Sequence, residues 1–248
     1  MGRVSGKVGL VSGGARGMGA AQAQRLVEEG ARVIIGDVLD EEGASTAAAL
    51  GDNARFLHLD VTKPEDWDAA VAAAVSEFGG LDILVNNAGI MNFAPVDEYT
   101  LEQWNTIIAI NLTGTFNGIK AAIPALKLSG KGSIINISST AGLKGFGSFP
   151  GYTAAKFATR GLTKAVAIDL GKYNIRANSV HPGNVRTPMT DGYDIDQSGV
   201  PLARLGEAYE LANLVLFLAS DESSFSTGAE FIADGGEMAG SVPPAADI

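Results

Sequence analysis

An α/β fold with helices on both faces of a doubly wound, seven-stranded parallel sheet is what this sequence predicts, and three observations carry it. Short apolar, β-branched runs alternate with longer segments of helical period from near the first residue almost to the last. The runs are rich in Val, Ile and Leu, which suits strands covered on both faces. No internal repeat, linker or composition break divides the 248 residues, so a single domain over 1–248 is expected. Parallel strands then require crossover helices, and the intervening segments supply them.

The first strand is expected over Val8 to Ser12, and the helix behind it, Ala20 to Glu29, is stopped by Gly30. Strands two and three follow at Arg32 to Gly36 and Arg55 to Leu59. Thr62-Lys63-Pro64-Glu65 then reads as a capping box with proline in the first turn of the next helix. Strands four to six fall at Ile83 to Val85, Ser133 to Ser138 and Ile175 to His181, and the last, Glu230 to Ala233, at the sheet edge. The helix Glu207 to Ser220, with Leu211, Leu214, Val215 and Phe217, carries more apolar surface than one sheet face needs. Together with the edge strand it predicts cover by another subunit. Two irregular stretches, Ala141 to Gly151 and His181 to Pro201, follow predicted strands, and loops beyond the carboxyl ends of parallel strands are where such sheets bind ligands. Ser241 to Ile248, with Pro243-Pro244, reads as a frayed tail.

Charge and composition exclude several classes. With 18 Lys+Arg against 28 Asp+Glu the formal net charge is −10, and no basic run stands out, which argues against nucleic acid and anionic membrane as partners. No stretch reaches membrane-spanning length, and neither a secretory signal nor a myristoylation pattern opens the chain, so a soluble cytoplasmic protein is expected. The absence of Cys excludes disulfides, thiol nucleophiles and zinc-thiolate sites. His58 and His181 are too far apart in sequence to suggest an imidazole cluster, so no metal is expected, a carboxylate-only site being the reading left open.

Between the first strand and the first helix lies Ser12-Gly13-Gly14-Ala15-Arg16-Gly17-Met18-Gly19. Glycines there let backbone amides approach a pyrophosphate at the positive end of the helix, the Rossmann-type arrangement for a dinucleotide. Asp37 follows the second strand, 24 residues past Gly13, where a carboxylate can accept both ribose hydroxyls of NAD. A 2′-phosphate would bring about −1.5 to −2 further charge, and one like-charge contact at about 4 Å costs roughly 4 kcal/mol near a protein surface. Asp37 therefore predicts NAD over NADP, with Arg16 as the counter-signal that could hold such a phosphate. Asp60 and Val61, at the end of the third strand, are placed to meet the adenine, or Asp60 caps the turn that follows.

Tyr152 and Lys156 stand four residues apart and share a face if the segment is helical. They follow Ser138 and Ser139 at the end of an apolar strand, with Tyr152 13 residues beyond Ser139. Each residue alone could be a packing or surface group. With Asn86-Asn87-Ala88-Gly89 after the fourth strand, Asn111 in the long helix and Pro182-Gly183 after the sixth, the chain from about Lys7 to Gly236 resembles the classical short-chain dehydrogenases/reductases. The nearer resemblance is to the bacterial 3-alpha/20-beta-hydroxysteroid dehydrogenases. It rests on Ser12 to Ala20, Asp37 to Gly43, His58 to Thr62, Val180-His181-Pro182-Gly183 and Thr187-Pro188-Met189-Thr190.

The resemblance implies a catalytic tetrad of Asn111, Ser139, Tyr152 and Lys156. It also implies cofactor contacts from Gly13, Arg16, Gly17, Met18, Gly19, Asn87, Ala88, Gly89, Pro182, Gly183, Val185 and Thr187. Tyr152 would pass a proton to or from the substrate oxygen while hydride moves on the nicotinamide. A phenol titrates near pH 10, and lowering it by about 3 units for alcohol oxidation takes roughly 4 kcal/mol. A cation at about 4 Å can supply that, Lys156 and the positive nicotinamide being the candidates. Ser139 would orient the substrate oxygen, and Asn111 would help hold a water that links Lys156 to solvent. Members of the family are commonly tetramers, so a homotetramer is expected. The chain departs from the commonest pattern at Ser12, where Thr is usual, and at His181, where Asn is usual; its loop from Thr190 to Pro201 is short.

Met91, Phe93, Leu143, Phe146, Phe149 and Met189 form the expected substrate wall, bulky and apolar, with no cation placed to grip an acidic substrate. A hydrophobic ketone or secondary alcohol fits, steroid-like rings included; alternatively several of these side chains only pack the loops. Two rivals remain: a 3-oxoacyl-thioester reductase of fatty-acid synthesis, which should use NADPH and a basic docking patch, and a non-catalytic NAD sensor. Asp37 and the acidic balance count against the first, and the Ser139, Tyr152 and Lys156 set against the second.

Overall fold

The computed structural model describes residues 2–240, so the expected tail at 241–248 lies outside the described residues. Strands β1 (Val8–Ser12), β2 (Arg32–Asp37), β3 (Ala54–His58), β4 (Ile83–Asn86), β5 (Ser133–Ile137), β6 (Arg176–Pro182) and β9 (Glu230–Ala233) form one sheet in the order β3-β2-β1-β4-β5-β6-β9. Every pairing is parallel. The order reverses between β1 and β4, which opens a crevice at their carboxyl ends. A two-residue parallel pair, β7 (Val185–Arg186) with β8 (Gly206–Glu207), stands apart. Four residues are too few to carry a period, and the sequence reading missed it.

The crossovers are α1 (Gly17–Glu28), α2 (Asp40–Leu50), α3 (Pro64–Phe78), α4 (Leu101–Ile108), α5 (Gly114–Ser129), α6 (Pro150–Leu170) and α7 (Ala208–Ala219). Alternate strand residues feed two cores. Val11, Val33, Ile35, Val85 and Ile135 pack towards α1 and α7, whereas Leu10, Ile34, Leu84 and Ile134 pack towards α3, α5 and α6. The apolar runs read as strands buried on both faces are therefore built that way.

Three expectations change. The helix after β1 starts at Gly17, inside the glycine-rich turn, not at Ala20. Thr62 does not cap α3: its hydroxyl donates to Asp60 Oδ1 at 2.7 Å, leaving Lys63 as an N-cap without a side-chain bond and Pro64 to open the helix. Capping boxes form instead at Thr100 with Gln103 on α4 and at Glu207 with Glu210 on α7. Finally, Leu211 and Val215 of α7 are buried in this chain's own core against α1, so the surplus apolar face is smaller than expected. Phe225 and Ile232, near and on the edge strand β9, remain exposed.

The amino-terminal rim of the sheet is tied by long-range bonds. Lys7 Nζ donates to the Ala219 carbonyl at 3.0 Å and pairs with Asp221 at 2.6 Å; Asp82 accepts from the Val8 amide at 2.9 Å; Arg176 donates to the Leu218 carbonyl at 2.7 Å. The opposite rim carries the glycine-rich turn, the Asn86 to Gly89 segment, Ser138-Ser139 and Pro182-Gly183.

Candidate active site

Glycine is required at two places in the first turn. Gly13 has φ +64°, and a Cβ there would stand 2.7 Å from Ala88 Cα; a Cβ on Gly19 would meet the Gly13 carbonyl oxygen at 2.0 Å. Asn87 clamps the turn, its Nδ2 donating to the Ser12 and Gly13 carbonyls at 3.1 and 3.0 Å, while the Ser12 hydroxyl accepts from the amides of Asn87 and Ala88. Ser12 thus does the bonding of the more usual Thr with one methyl fewer.

These residues fit a dinucleotide. Helix α1 has neither a side-chain cap nor an acidic residue in its first turn, so the amides of its opening residues face an incoming anion uncontested. The Asn87 side-chain oxygen is buried without a partner among the described residues. Asp37 accepts from the Ala15 and Leu39 amides, one on each oxygen, at 3.0 and 3.2 Å, which leaves lone pairs for two hydroxyl donors. Arg16 is exposed. Asp60 is the cap of its turn, its Oδ1 holding the Thr62 amide at 3.0 Å as well as the hydroxyl. Val61 is buried, its carbonyl held by Trp67 and Asn117.

At the carboxyl ends of β5 and β6 lies a cavity of about 560 Å³. Ser139 and Tyr152 form its polar end, Met18, Pro182, Gly183, Val185 and Thr187 the side towards the glycine-rich turn, and Met91, Phe93, Phe146, Phe149 and Met189 the apolar wall. Leu143 is not on that wall. Its amide closes the turn onto the Thr140 carbonyl at 2.9 Å, and the residue is absent from the cavity lining. Sequence reasoning missed Asn184, Tyr193, Asp194, Ile195 and Asp196, which also line it. Tyr193 packs edge-on to Phe93 with centroids 6.2 Å apart, a contact between distant loops that no local pattern announces.

Tyr152 and Lys156 share a face of α6, with Lys156 Nζ 5.5 Å from the centre of the Tyr152 ring. Burial pushes the phenol above its ordinary range, and the hydrogen bond from Ser139 opposes the rise. The Lys156 ammonium donates to the Ile137 carbonyl at 2.9 Å and is itself pushed down to about 8 by burial. Asn111 sits in a π-helical turn, Ala109–Thr113, between α4 and α5. Its side chain holds both the amide and the carbonyl of Ile90, at 2.9 and 2.8 Å. A Cβ on Gly89 would lie 3.3 Å from Asn111 Oδ1 and 3.7 Å from Lys156 Nζ, so this glycine keeps the space between the two open.

His181, fully buried, stands behind Ser139. Its Nδ1 lies 3.0 Å from the Ser139 carbonyl and its Nε2 2.8 Å from the Ser179 hydroxyl. The carbonyl can only accept, so Nδ1 carries the proton and Nε2 accepts from Ser179. Burial holds the imidazole pKa below its usual value, so the ring is neutral. Among the described residues no three His, Asp or Glu side chains gather as metal ligands, and no helix is long and apolar enough to cross a membrane.

The chain is similar to known proteins over nearly its whole length. A family model described as enoyl-(acyl carrier protein) reductase matches residues 13–237. A 3-alpha-(or 20-beta)-hydroxysteroid dehydrogenase of Mycobacterium bovis is 57% identical, the match covering 96% of this chain and 92% of that one. A trans-4-hydroxycyclohexanecarboxylate dehydrogenase of Sinomonas cyclohexanicum is 54% identical over 96% and 95% of the two chains. A cyclopentanol dehydrogenase of a Comamonas species is 44% identical over 96% and 100%.

Proposed function

The chain belongs to the short-chain dehydrogenase/reductase family, and from that premise we propose that it is an NAD(H)-dependent oxidoreductase interconverting a secondary alcohol and a ketone on a bulky apolar, cyclic substrate, steroids included. The observation that supports it best is the Tyr152 phenol lining a cavity with a broad apolar wall, with Ser139 in the same lining and Lys156 one turn behind. The names of the three relatives each describe a dehydrogenase of a carbocyclic alcohol.

The nicotinamide, when bound, supplies or takes the hydride. Ser139 orients the substrate oxygen, and Tyr152 gives it the proton during reduction; a phenol kept protonated by burial suits that role. In oxidation Tyr152 must lose its proton. Lys156 contributes by its nearby charge, and Asn111, through the opening at Gly89, helps hold the water that carries the proton to solvent. Gly13, Gly17, Met18 and Gly19 seat the pyrophosphate, Asn87, Ala88 and Gly89 back it, and Pro182, Gly183, Val185 and Thr187 flank the nicotinamide.

The reading of NAD over NADP is supported by Asp37, at the carboxyl end of β2. A 2′-phosphate would face the Asp37 carboxylate, with Arg16 the cation of the glycine-rich turn to answer it. We assign the protein to the cytoplasm, as a homotetramer whose β9 edge, exposing Ile232, meets another subunit.

A panel of steroid, small cyclic and 3-oxoacyl-thioester substrates, each with NAD(H) and NADP(H), tests the proposal. Turnover of the cyclic alcohols with NAD is expected, and turnover confined to the thioester with NADPH would overturn it. Tyr152→Phe should bind NADH as before while kcat falls at least a thousandfold; undiminished turnover would remove the phenol from its role, and no turnover with any substrate would favour the sensor.

A further inference from the structure

Beside the cavity that holds Tyr152 lies a second chamber of about 500 Å³. Phe146, Asn184 and Asp196 belong to the walls of both, so the two lie side by side along a shared wall. The first chamber must hold the nicotinamide end of the cofactor as well as the reacting ring, because Met18, Pro182 and Thr187 share its wall. A single-ring alcohol is contained there. A multi-ring substrate with its reacting oxygen at Tyr152 has to extend onwards, and the second chamber is where the shared wall leads it.

The second chamber differs chemically from the first. Lys144 and Glu237 form an ion pair on its wall, Nζ to Oε1 3.0 Å, with the Glu237 side chain 14% exposed. The Lys144 ammonium also lies 5.0 Å from the centre of the Phe146 ring, and Asp196 adds a second carboxylate. Lys144 is therefore answered by Glu237, and Asp196 leaves the chamber net negative. A remote carboxylate on the substrate would have to break the pair and face Asp196. A neutral carbonyl or hydroxyl can bond to the Asn184 carboxamide or to the edge of the pair without displacing either charge.

We propose that this chamber is a subsite for the remote end of an elongated ring substrate, and that the Lys144–Glu237 pair makes it accept a neutral oxygen function and reject a carboxylate. The proposal rests on the alcohol/ketone reading above and adds to it the chemistry of the far end. The sequence offered no hint of it, since Lys144 and Glu237 are nearly a hundred positions apart and meet only in the fold.

The test uses 3-oxo steroids identical except at carbon 17, bearing a ketone, a carboxamide or a carboxylate, with cyclopentanol as a single-ring reference. In the native enzyme KM for the carboxylate should exceed that for the ketone and the carboxamide at least tenfold, with similar kcat. Glu237→Gln frees Lys144 and should lower KM for the carboxylate at least tenfold; adding Lys144→Met should cancel that gain. Equal KM values in the native enzyme, or a Glu237→Gln effect of the same size on all three steroids, would overturn the subsite while cyclopentanol turnover persists. Failure to turn over any ring substrate, cyclopentanol included, would overturn the alcohol/ketone reading itself.

Discussion

Lys156, to which we assign a catalytic role, shows how such a residue can work against the fold that houses it. It is almost wholly buried, and its pKa falls from the ordinary 10.5 to about 8 because the charged form has lost its water. At neutral pH the folded protein carries that cost in full. As pH rises from about 8 to about 10.5 the unfolded chain holds a proton that the folded chain has released, so the cost disappears across that window. Lys156→Met should abolish turnover yet stabilise the protein by about 1–2 kcal/mol at pH 7, the relieved desolvation exceeding the lost bond to Ile137. Denaturant melts of both forms between pH 7 and 10 should show the difference shrinking as pH rises; a constant difference would contradict the assignment. The spacing of Ser139, Tyr152 and Lys156 was legible in the sequence because four residues make one helical turn. The setting of the phenol was not, because burial and the competing Ile137 carbonyl belong to the assembled site. His181 stood out as a departure in sequence, but its hold on the Ser139 carbonyl depends on how β6 lies beside β5.

Strand positions were read to within a residue or so because buried parallel strands are continuous apolar runs, and β1 and β9 fall where the pattern put them. Helix starts were less legible. At Thr62 the local pattern is right for a cap, but the nearer Asp60 carboxylate takes the hydroxyl. The π-helical turn at Asn111 is likewise invisible to periodicity, since one extra residue only shifts the apolar stripe. The glycine-rich turn was legible as a motif, and its clamp by Asn87 gives it a measurable weight. Gly13→Ala forces a non-glycine residue to positive φ, costing about 1 kcal/mol, and drives a methyl against Ala88. It should lower the thermal midpoint and weaken NADH binding at least tenfold by fluorescence titration; unchanged binding would mean that the turn is not the cofactor seat.

At the level of the whole molecule, the sequence overestimated what α7 has to spare, because a hydrophobic pattern cannot say which neighbour covers it. Within the chain α1 covers Leu211 and Val215; Phe225, fully exposed, and Ile232, 49% exposed, lie outside that cover. Sedimentation equilibrium of the purified protein should give four chain masses, and Ile232→Lys should reduce that number. A monomer at micromolar concentration would refute the assembly. The two rims of the sheet also divide their work: Lys7, Asp82 and Arg176 tie the frame at one edge, while the loops that line the cavity spring from the other. Substitutions in the cavity loops can therefore drift without loosening the knots that keep the chain folded, and a scaffold of this kind is open to acquiring new tastes in alcohol by small evolutionary steps.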